Sequence, residues 1–511
     1  MSTTKSTTKS TTMRTTTGIT YECQGLAHEH QSLYTAFKSK DTRFDGRFFV
    51  GVSSTGIYCR PVCRARMPKI ENCTFYESAA EAEQAGYRPC LICRPELAPG
   101  RSITDATTTL AHRAARYLEE NCGKEMSLDN LAGKLGYTDR HLRRAFRSEF
   151  NVSPVRYRET CRLLLAKNLL TDTDLSVVDV AMTAGFGSLR RFNDSFKKHY
   201  RLSPTALRKK ASGRESRQGE ITVSLGYHPP YGWRAMLAFL AGRAIGGVEA
   251  VCKDEYLRTV RHINAAGESV FGWVRVGPDR RKDALAVTIP LSLLGVLPLV
   301  LARVRHLFDL YCEPDAVTET LGSMNAIKPG LFVPGVRVPG CYDSFEMAVR
   351  TVLGQQITVK AAGTLATRIA EAYGEPVQTG IEGLHVAFPS PERIVEMGDS
   401  VGDNLGVLGV IASRSKTIYE LARAFVEGSV DFGLSAQPEV EMEKLMALPG
   451  IGVWSAGYIA MRSMGWTDTF LSTDYGVKKA LASLSKDEIN RLSDTWRPWR
   501  SYATISLWNS L

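Results

Sequence analysis

The sequence predicts a multidomain α+β chain: a small metal-stapled α/β unit, an all-α unit of paired helix-turn-helix repeats, and a C-terminal half that opens with strands and ends in helices. Three observations predict it. Two cysteine pairs stand in "TGIYCRPVCRARMPK" and "GYRPCLICRPE". One helical pattern occurs twice, from Ser127 and, 49 positions on, from Ser176. The charge balance also changes sign near residue 212, where a basic front half gives way to the composition of an ordinary globular protein.

At 511 residues the chain is too long for one core. Lys and Arg outnumber Asp and Glu by 64 to 53, a net +11, with 34 against 21 through residue 212 and 30 against 32 beyond it. A basic N-terminal region points to a polyanion, nucleic acid first, with plain solubility as the bland alternative. The hydrophobic content is 44%. No apolar run approaches the roughly eighteen residues needed to span a bilayer. No signal-peptide pattern opens the chain, so a cytoplasmic, nucleoid-associated location with no membrane partner is expected. Eleven scattered cysteines argue against a disulfide framework and for a reducing compartment.

Residues 1–18, "MSTTKSTTKSTTMRTTTG", have nothing to bury and are expected to be a disordered tail, a transit peptide being the minor alternative. Over 19–98 the runs "GRFFVGV", "GIYC" and "CTFYES" predict a small α/β domain around the cysteines. C-x3-C and C-x2-C each fit one tight turn, and two facing turns close a tetrahedral shell. Cys59, Cys63, Cys90 and Cys93 are therefore the expected zinc ligands. Spacing alone leaves two readings open, a structural staple or a reactive centre. "PELAPGRS" (95–102) has the composition of a linker.

The stretch "FDGRFFVGVSSTGIYCRPVCRARMPKIENCTFYESAAEAEQAGYRPCLICRPE" closely resembles the N-terminal domain of Ada-type DNA repair methyltransferases, all four cysteines in register. The resemblance implies that Cys59 is both a zinc ligand and a single-turnover acceptor of the methyl group from a DNA methylphosphotriester, and that Thr55, Arg66 and Arg88 contact backbone phosphates. Four thiolates around Zn2+ leave a net negative site, so a ligand sulfur stays electron-rich; methylation removes one charge and should raise DNA affinity. The chain departs from the family at Leu91 and Ile92, where a basic residue is common, and Cys73 is extra.

Residues 103–210 hold the repeat, "SLDNLAGKLGYTDRHLRRAFRSEFNVSP" and "SVVDVAMTAGFGSLRRFNDSFKKHYRLSP", each a helix, a Gly-aromatic turn, a second helix and a Ser-Pro stop. In the second helices Leu142, Ala145, Phe146 and Phe150, and Leu189, Phe192 and Phe196, make apolar stripes. Arg140, His141, Arg143, Arg144 and Arg147 are left outward on the first, and Arg190, Arg191, Asn193, Lys197 and Lys198 on the second. One such helix alone would suit a solvated charged face; the duplication favours paired recognition helices in successive major grooves. The region resembles the AraC-type DNA-binding domain. That implies an operator in double-stranded DNA, transcriptional regulation by activation or by repression, and RNA polymerase as a partner.

Residues 211–220 are expected to be a linker, 221–325 a strand-containing part, and 326–511 a helical catalytic region. In "LPGIGVW", Pro449, Gly450 and Gly452 suit a tight hairpin whose N–H groups approach a phosphate. Trp454, Tyr458 and Met461 share a helix face, with a buried aromatic stripe as the bland alternative. Together with Asp474, these residues resemble the helix-hairpin-helix glycosylase superfamily. The resemblance implies that Asp474 stabilises positive charge on the deoxyribose and assists water. Lyase members carry a lysine where this chain has Trp454, so base excision without strand cleavage is expected. No cysteine follows Cys341, so no iron–sulfur cluster is expected.

"LGYHPPYGWRAMLAFLAGRAIGGVEAV", "FDLYCEPD", "PGCYDSFEMAVRTVLGQQITV" and "WRPWRSYATISLW" resemble AlkA-type 3-methyladenine DNA glycosylases. That implies an N-terminal antiparallel β portion and a pocket of Phe239, Trp454, Tyr458 and Trp508 for a flipped-out base, whose positive charge electron-rich rings can select. Gln356 matches a position where the family can carry a wedging leucine. The signature Pro-Cys-His-Arg does not occur, so direct repair of O6-methylguanine is not expected. The expected function is DNA alkylation repair and response: a monofunctional 3-methyladenine glycosylase joined to a methyl acceptor and a transcriptional regulator. One alternative is a methylation-sensing transcription factor with an inactive, DNA-gripping C-terminal domain. Another is a plain glycosylase whose front half only raises DNA affinity.

Overall fold

Two short runs of β-branched and aromatic residues, Phe49–Val52 (β1) and Ile57–Cys59 (β2), pair antiparallel with Val50 opposite Cys59. The structure, a computed structural model, describes residues 30–99, 110–124, 126–210, 219–433 and 436–511. The expected tail (1–18) and most of the expected 211–220 linker lie outside the described residues. Cys73–Tyr76 (β3) joins the other edge of β1, and Arg88–Pro89 (β4) runs parallel to β2 in the order β3-β1-β2-β4. The parallel pair sets Tyr58 beside Pro89, and the Cys90 N–H donates to the Tyr58 carbonyl at 3.0 Å. Cys59 and Cys90 therefore leave adjacent strand ends together.

The repeat folds as two helix pairs, Leu128–Lys134 with Asp139–Phe150 and Val177–Thr183 with Leu189–Tyr200, joined by the long helix Pro154–Asp172. Ser127, Thr138, Ser153, Ser176 and Ser188 each cap a helix by accepting the N–H three residues on. Gly136 and Gly185 occupy equivalent turns at φ +81° and +83°, a left-handed geometry that a Cβ would strain. Phe146, Phe192 and Phe196 are fully buried, as the stripes required.

The described part of the stretch expected to be a linker, residues 95–99, is not free. Pro95–Leu97 forms a 3-10 turn with Pro95 and Leu97 buried. Arg94 pairs with Glu96 at 2.8 Å and reaches across to Asp172 at 2.6 Å and to Asn168 and Thr171, each at 2.8 Å. Lys167, 1% exposed, pairs with Glu96. These contacts seat the segment after Cys93 on the long helix. Breaking one such buried pair typically costs about 3–5 kcal/mol. Composition suggested a linker here because it could not show ionic partners some 70 residues away.

The C-terminal half begins with Glu220–Gly226 (β5), Glu249–Cys252 (β6), Glu255–Ile263 (β7), Ser269–Pro278 (β8) and Ala284–Pro290 (β9), an antiparallel sheet in the order β5-β9-β8-β7-β6. Helices follow, interrupted by the hairpin of Glu375–Ile381 (β10) and Leu384–Ala387 (β11), which had not been anticipated. One apolar core joins Phe192 and Phe196 of the second repeat to Ile221 and Val223 of β5 and to Tyr502 and Ile505 near the C-terminal end. A second core, with Phe345, Val349, Leu421 and Ile459, lies in the helical part. Each large side chain so buried contributes about 1.5–3 kcal/mol. Among the described residues no helix is long and apolar enough to cross a membrane.

Candidate functional site

The sulfurs of Cys59, Cys63, Cys90 and Cys93 all lie within 4.8 Å of one another, and those of Cys63 and Cys90 are 3.9 Å apart. Four sulfurs at about 2.3 Å from a tetrahedral Zn2+ stand roughly 3.8 Å apart, so a modest contraction closes the shell. Hydrogen bonding among the four thiols shifts them in opposite directions, Cys90 and Cys63 below and Cys59 and Cys93 above the ordinary thiol range. Such mutual bonding marks a donor set suited to a cation. Arg60 N–H donates to Cys93 Sγ at 3.3 Å and Ile92 N–H to Cys90 Sγ at 3.4 Å. Among the described residues no backbone N–H donates to Cys59 or Cys63, which are 6% and 3% exposed. Arg60 is anchored on buried Asp45. Thr55 and Arg66 are exposed and Arg88 is half-buried. Leu91 and Ile92 project at 41% and 66% exposure between the last two ligands.

On the two second helices, Arg140, Arg143, Arg144 and Arg147, and Arg190, Arg191 and Lys197, are all exposed. Arg143 bonds to Asp139 at 2.8 Å within its own helix, and Arg190 stands 4.0 Å from Asp194. The other basic side chains have no carboxylate partner among the described residues.

The third candidate site is a cavity of about 1200 Å³ between the helix Val453–Ser463 and the loop after Ser344–Leu353. Gly450 shapes its entrance: φ is +81°, and a Cβ there would collide with Thr417 Oγ1. Gly452 caps the following helix without a side-chain bond, leaving N–H groups free for an anion. Trp454 and Tyr458 stack at 5.4 Å with 8° between their planes, one helical turn apart. Asp474 caps the helix Tyr475–Ala480, accepting Val477 N–H at 3.1 Å on Oδ1. The Trp508 indole N–H donates to the same Oδ1 at 2.8 Å, and that of Trp454 to Oδ2 at 3.1 Å. Three N–H donors fix the plane of this carboxylate at the cavity wall.

The cavity brings together Trp454, Tyr458, Trp508, Asp474, Gly450, Gly452 and Gln356. Gln356 is exposed at φ +56°. Phe239 is 7% exposed and does not line the cavity; its ring lies 6.4 Å from Trp508. Met461, grouped with the aromatics by helical spacing, turns into the core, and Arg462 takes the cavity side. Among the cavity residues not anticipated are Gln355, whose amide donates to Gly450 O at 2.9 Å and Ser455 Oγ at 3.0 Å, and Arg243 and Arg462. The signal for the arginines was present, since each stands four residues after a predicted pocket aromatic.

Four family descriptions match consecutive parts of the chain: the metal binding domain of Ada (32–96), a helix-turn-helix domain (131–210), the AlkA N-terminal domain (222–343) and the HhH-GPD superfamily base excision DNA repair protein (349–492). The chain is 35% identical over 492 residues, 94% of its length, to 97% of the "Probable bifunctional transcriptional activator/DNA repair enzyme AlkA" of Mycobacterium tuberculosis (strain CDC 1551 / Oshkosh). It is 36% identical over 285 residues, 56% of its length, to 96% of "DNA-3-methyladenine glycosylase 2" of Escherichia coli (strain K12). It is 29% identical over 188 residues, 36% of its length, to 86% of the "Bifunctional transcriptional activator/DNA repair enzyme AdaA" of Bacillus subtilis (strain 168). The matched metal binding domain and the four convergent sulfurs together identify a zinc site. With all four domains in order and the first of these relatives aligned along almost its whole length, the chain belongs to the family of bifunctional transcriptional activators and DNA repair enzymes that join an Ada metal binding domain and a helix-turn-helix domain to an AlkA-type glycosylase.

Proposed function

We propose that this protein repairs and reports DNA alkylation through three joined activities. Residues 19–98 accept methyl groups from DNA methylphosphotriesters, 103–210 bind an operator and activate transcription with RNA polymerase, and 221–511 hydrolyse the N-glycosidic bond of alkylated bases such as 3-methyladenine. Within the last part, 221–325 is the β-containing portion and 326–511 the helix-hairpin-helix catalytic region. The protein works in the cytoplasm at the nucleoid.

Cys59, Cys63, Cys90 and Cys93 would hold Zn2+, which when bound keeps the sulfurs deprotonated and electron-rich at neutral pH. N–H···S bonds withdraw electron density from Cys90 and Cys93 and leave Cys59 and Cys63 the more electron-rich pair, of which Cys59 stands at the acceptor position of the Ada resemblance. Its Sγ attacks the methyl carbon, the S–C bond forms as the C–O bond breaks, and the phosphodiester leaves as its anion. The sulfur has then lost its negative charge, so the domain repels the backbone less. Thr55, Arg66 and Arg88 hold flanking phosphates, and the exposed arginines and Lys197 of the two recognition helices grip the operator.

For base excision the supporting observation is Asp474, held by two indole N–H groups at 2.8 and 3.1 Å beside the stacked Trp454 and Tyr458. Gly450 and Gly452 present the hairpin to a phosphate, Gln356 fills the space of the extruded base, and Trp454, Tyr458 and Trp508 enclose that base. Asp474 then stabilises the sugar cation as the base departs and orients the attacking water. Trp454 cannot form a Schiff base, so the strand stays intact, and no iron–sulfur cluster takes part. Chromatography of bases released from methylated DNA by the full-length protein tests this. The wild type is expected to release 3-methyladenine, and Asp474→Asn to lose about 100-fold or more. Absence of release from the wild type would leave a methylation-sensing transcription factor whose C-terminal domain only grips DNA.

A further inference from the structure

Beside the four sulfurs lies a buried ion pair that supplies no ligand to them. Arg60, the residue after Cys59, donates from Nε to Asp45 Oδ1 at 2.7 Å and from Nη2 to Asp45 Oδ2. Its Nη1 donates to the Cys93 carbonyl at 3.1 Å, and its backbone N–H to Cys93 Sγ at 3.3 Å. Asp45 is 6% exposed, and among the described residues it is the only carboxylate that pairs with Arg60. The chain around Asp45 is clasped from two sides. Gly46 has φ +80°, and a Cβ there would collide with the carbonyl oxygen of Pro99, in the segment beyond the last ligand. Arg47 pairs with Glu313 of the C-terminal half.

Packing alone does not call for charge here, because a buried ion pair replaced by neutral side chains of similar volume commonly leaves stability unchanged or raised. The pair has an electrostatic consequence instead. Four thiolates around Zn2+ leave a net negative cluster, and that surplus is what keeps a ligand sulfur nucleophilic. A guanidinium turned onto the cluster stabilises the thiolates and slows their attack on carbon, the more so in desolvated surroundings. Arg60 carries its charge at any physiological pH, and its place beside the Cys93 carbonyl is close enough for this effect. Asp45 takes two of its N–H groups and balances its charge. The other negative groups that act on Arg60 are Cys93 and Glu96, and Glu96 is already engaged by Arg94 and Lys167. Without Asp45 the guanidinium therefore turns to the Cys93 sulfur, which lies within 4.8 Å of the Cys59 sulfur.

We propose that Asp45 is a positioning residue for methyl acceptance, holding the Arg60 cation off the metal-bound sulfurs so that Cys59 stays nucleophilic, an inference that rests on the reading of Cys59 as the acceptor. The test uses zinc-loaded full-length protein and methyl iodide, an electrophile that needs no DNA contact. The Cys59 thiolate forms the S–C bond as iodide leaves. Peptide mass spectrometry follows the rate at Cys59 in the wild type, Asp45→Asn, Arg60→Met and the double variant, and release to a chromophoric chelator reports how tightly each holds zinc. Asp45→Asn is expected to react about tenfold more slowly while holding zinc at least as tightly as the wild type. Arg60→Met and the double variant, which lack the cation, should react no more than about threefold more slowly than the wild type. Asp45→Ser, a smaller neutral residue, serves if circular dichroism shows Asp45→Asn unfolded. A pair that only shapes the site would slow all three variants alike or loosen zinc in all three. Either result overturns the role of Asp45, as does an unchanged rate in its neutral variants. A wild type whose Cys59 takes no methyl from a methylphosphotriester duplex overturns the acceptor reading and this inference with it.

Discussion

The Trp508 indole nitrogen lies 2.8 Å from Asp474 Oδ1, so an aromatic expected to line the base pocket also orients the carboxylate beside it. A hydrogen bond to a charged acceptor is worth about 1.5–3 kcal/mol. Trp508→Phe keeps a ring and removes the donor. Single-turnover release of 3-methyladenine should slow by roughly 10- to 100-fold while circular dichroism shows the variant still folded at the assay temperature. A full rate in this variant would mean that Val477 and Trp454 suffice to hold Asp474.

The two hairpin glycines should separate folding from DNA contact. At Gly450 both the φ of +81° and the approach of Thr417 oppose any side chain, so Gly450→Ala should destabilise the protein by about 1–3 kcal/mol. A Cβ at Gly452 meets nothing within 4 Å. Gly452→Ala should therefore unfold at the wild-type temperature yet bind duplex more weakly in fluorescence anisotropy, because the added methyl stands where the backbone would approach a phosphate. Equal melting losses in the two variants would contradict this division.

Glu83 gives the front half a pH dependence. Burial pushes its carboxyl up to about 8, partly offset by hydroxyl donors Thr160 at 3.0 Å and Tyr58 at 3.1 Å. The ordinary value is 4.5, so the folded state keeps a proton that the unfolded chain has lost. The stability this proton contributes is complete below about 4.5 and disappears as pH rises through about 8. Glu83→Gln should match the wild type near about pH 5 and melt higher than it near about pH 9. A melting difference that does not change with pH would show that Glu83 is already ionised in the fold.

Features set by short-range chemistry were legible in the sequence. Ser127, Thr138, Ser176 and Ser188 announce helix starts wherever they stand, and the glycines of the repeated turns need only their own backbone angles. The cysteine pairs were legible as pairs. What brings them together is the parallel contact of β2 with the two-residue β4, too short to leave a periodic signal. The docking of Arg94 and Glu96 on Lys167 and Asp172 depends on side chains 71 to 78 positions away, which no local pattern reports. At the cavity, the aromatics and Asp474 could be placed through family resemblance. Arg243 and Arg462 were passed over because an arginine four residues after an aromatic is most often an ordinary surface neighbour.

The central claim is that Cys59 is a methyl acceptor as well as a metal ligand, and peptide mass spectrometry tests it most directly. The zinc-loaded full-length protein is incubated with duplex DNA bearing one methylphosphotriester. The expected result is a single added methyl on Cys59, none on Cys63, Cys90 or Cys93, and none anywhere in Cys59→Ala. An unmodified Cys59, or a methyl carried by one of the other three, would contradict the account.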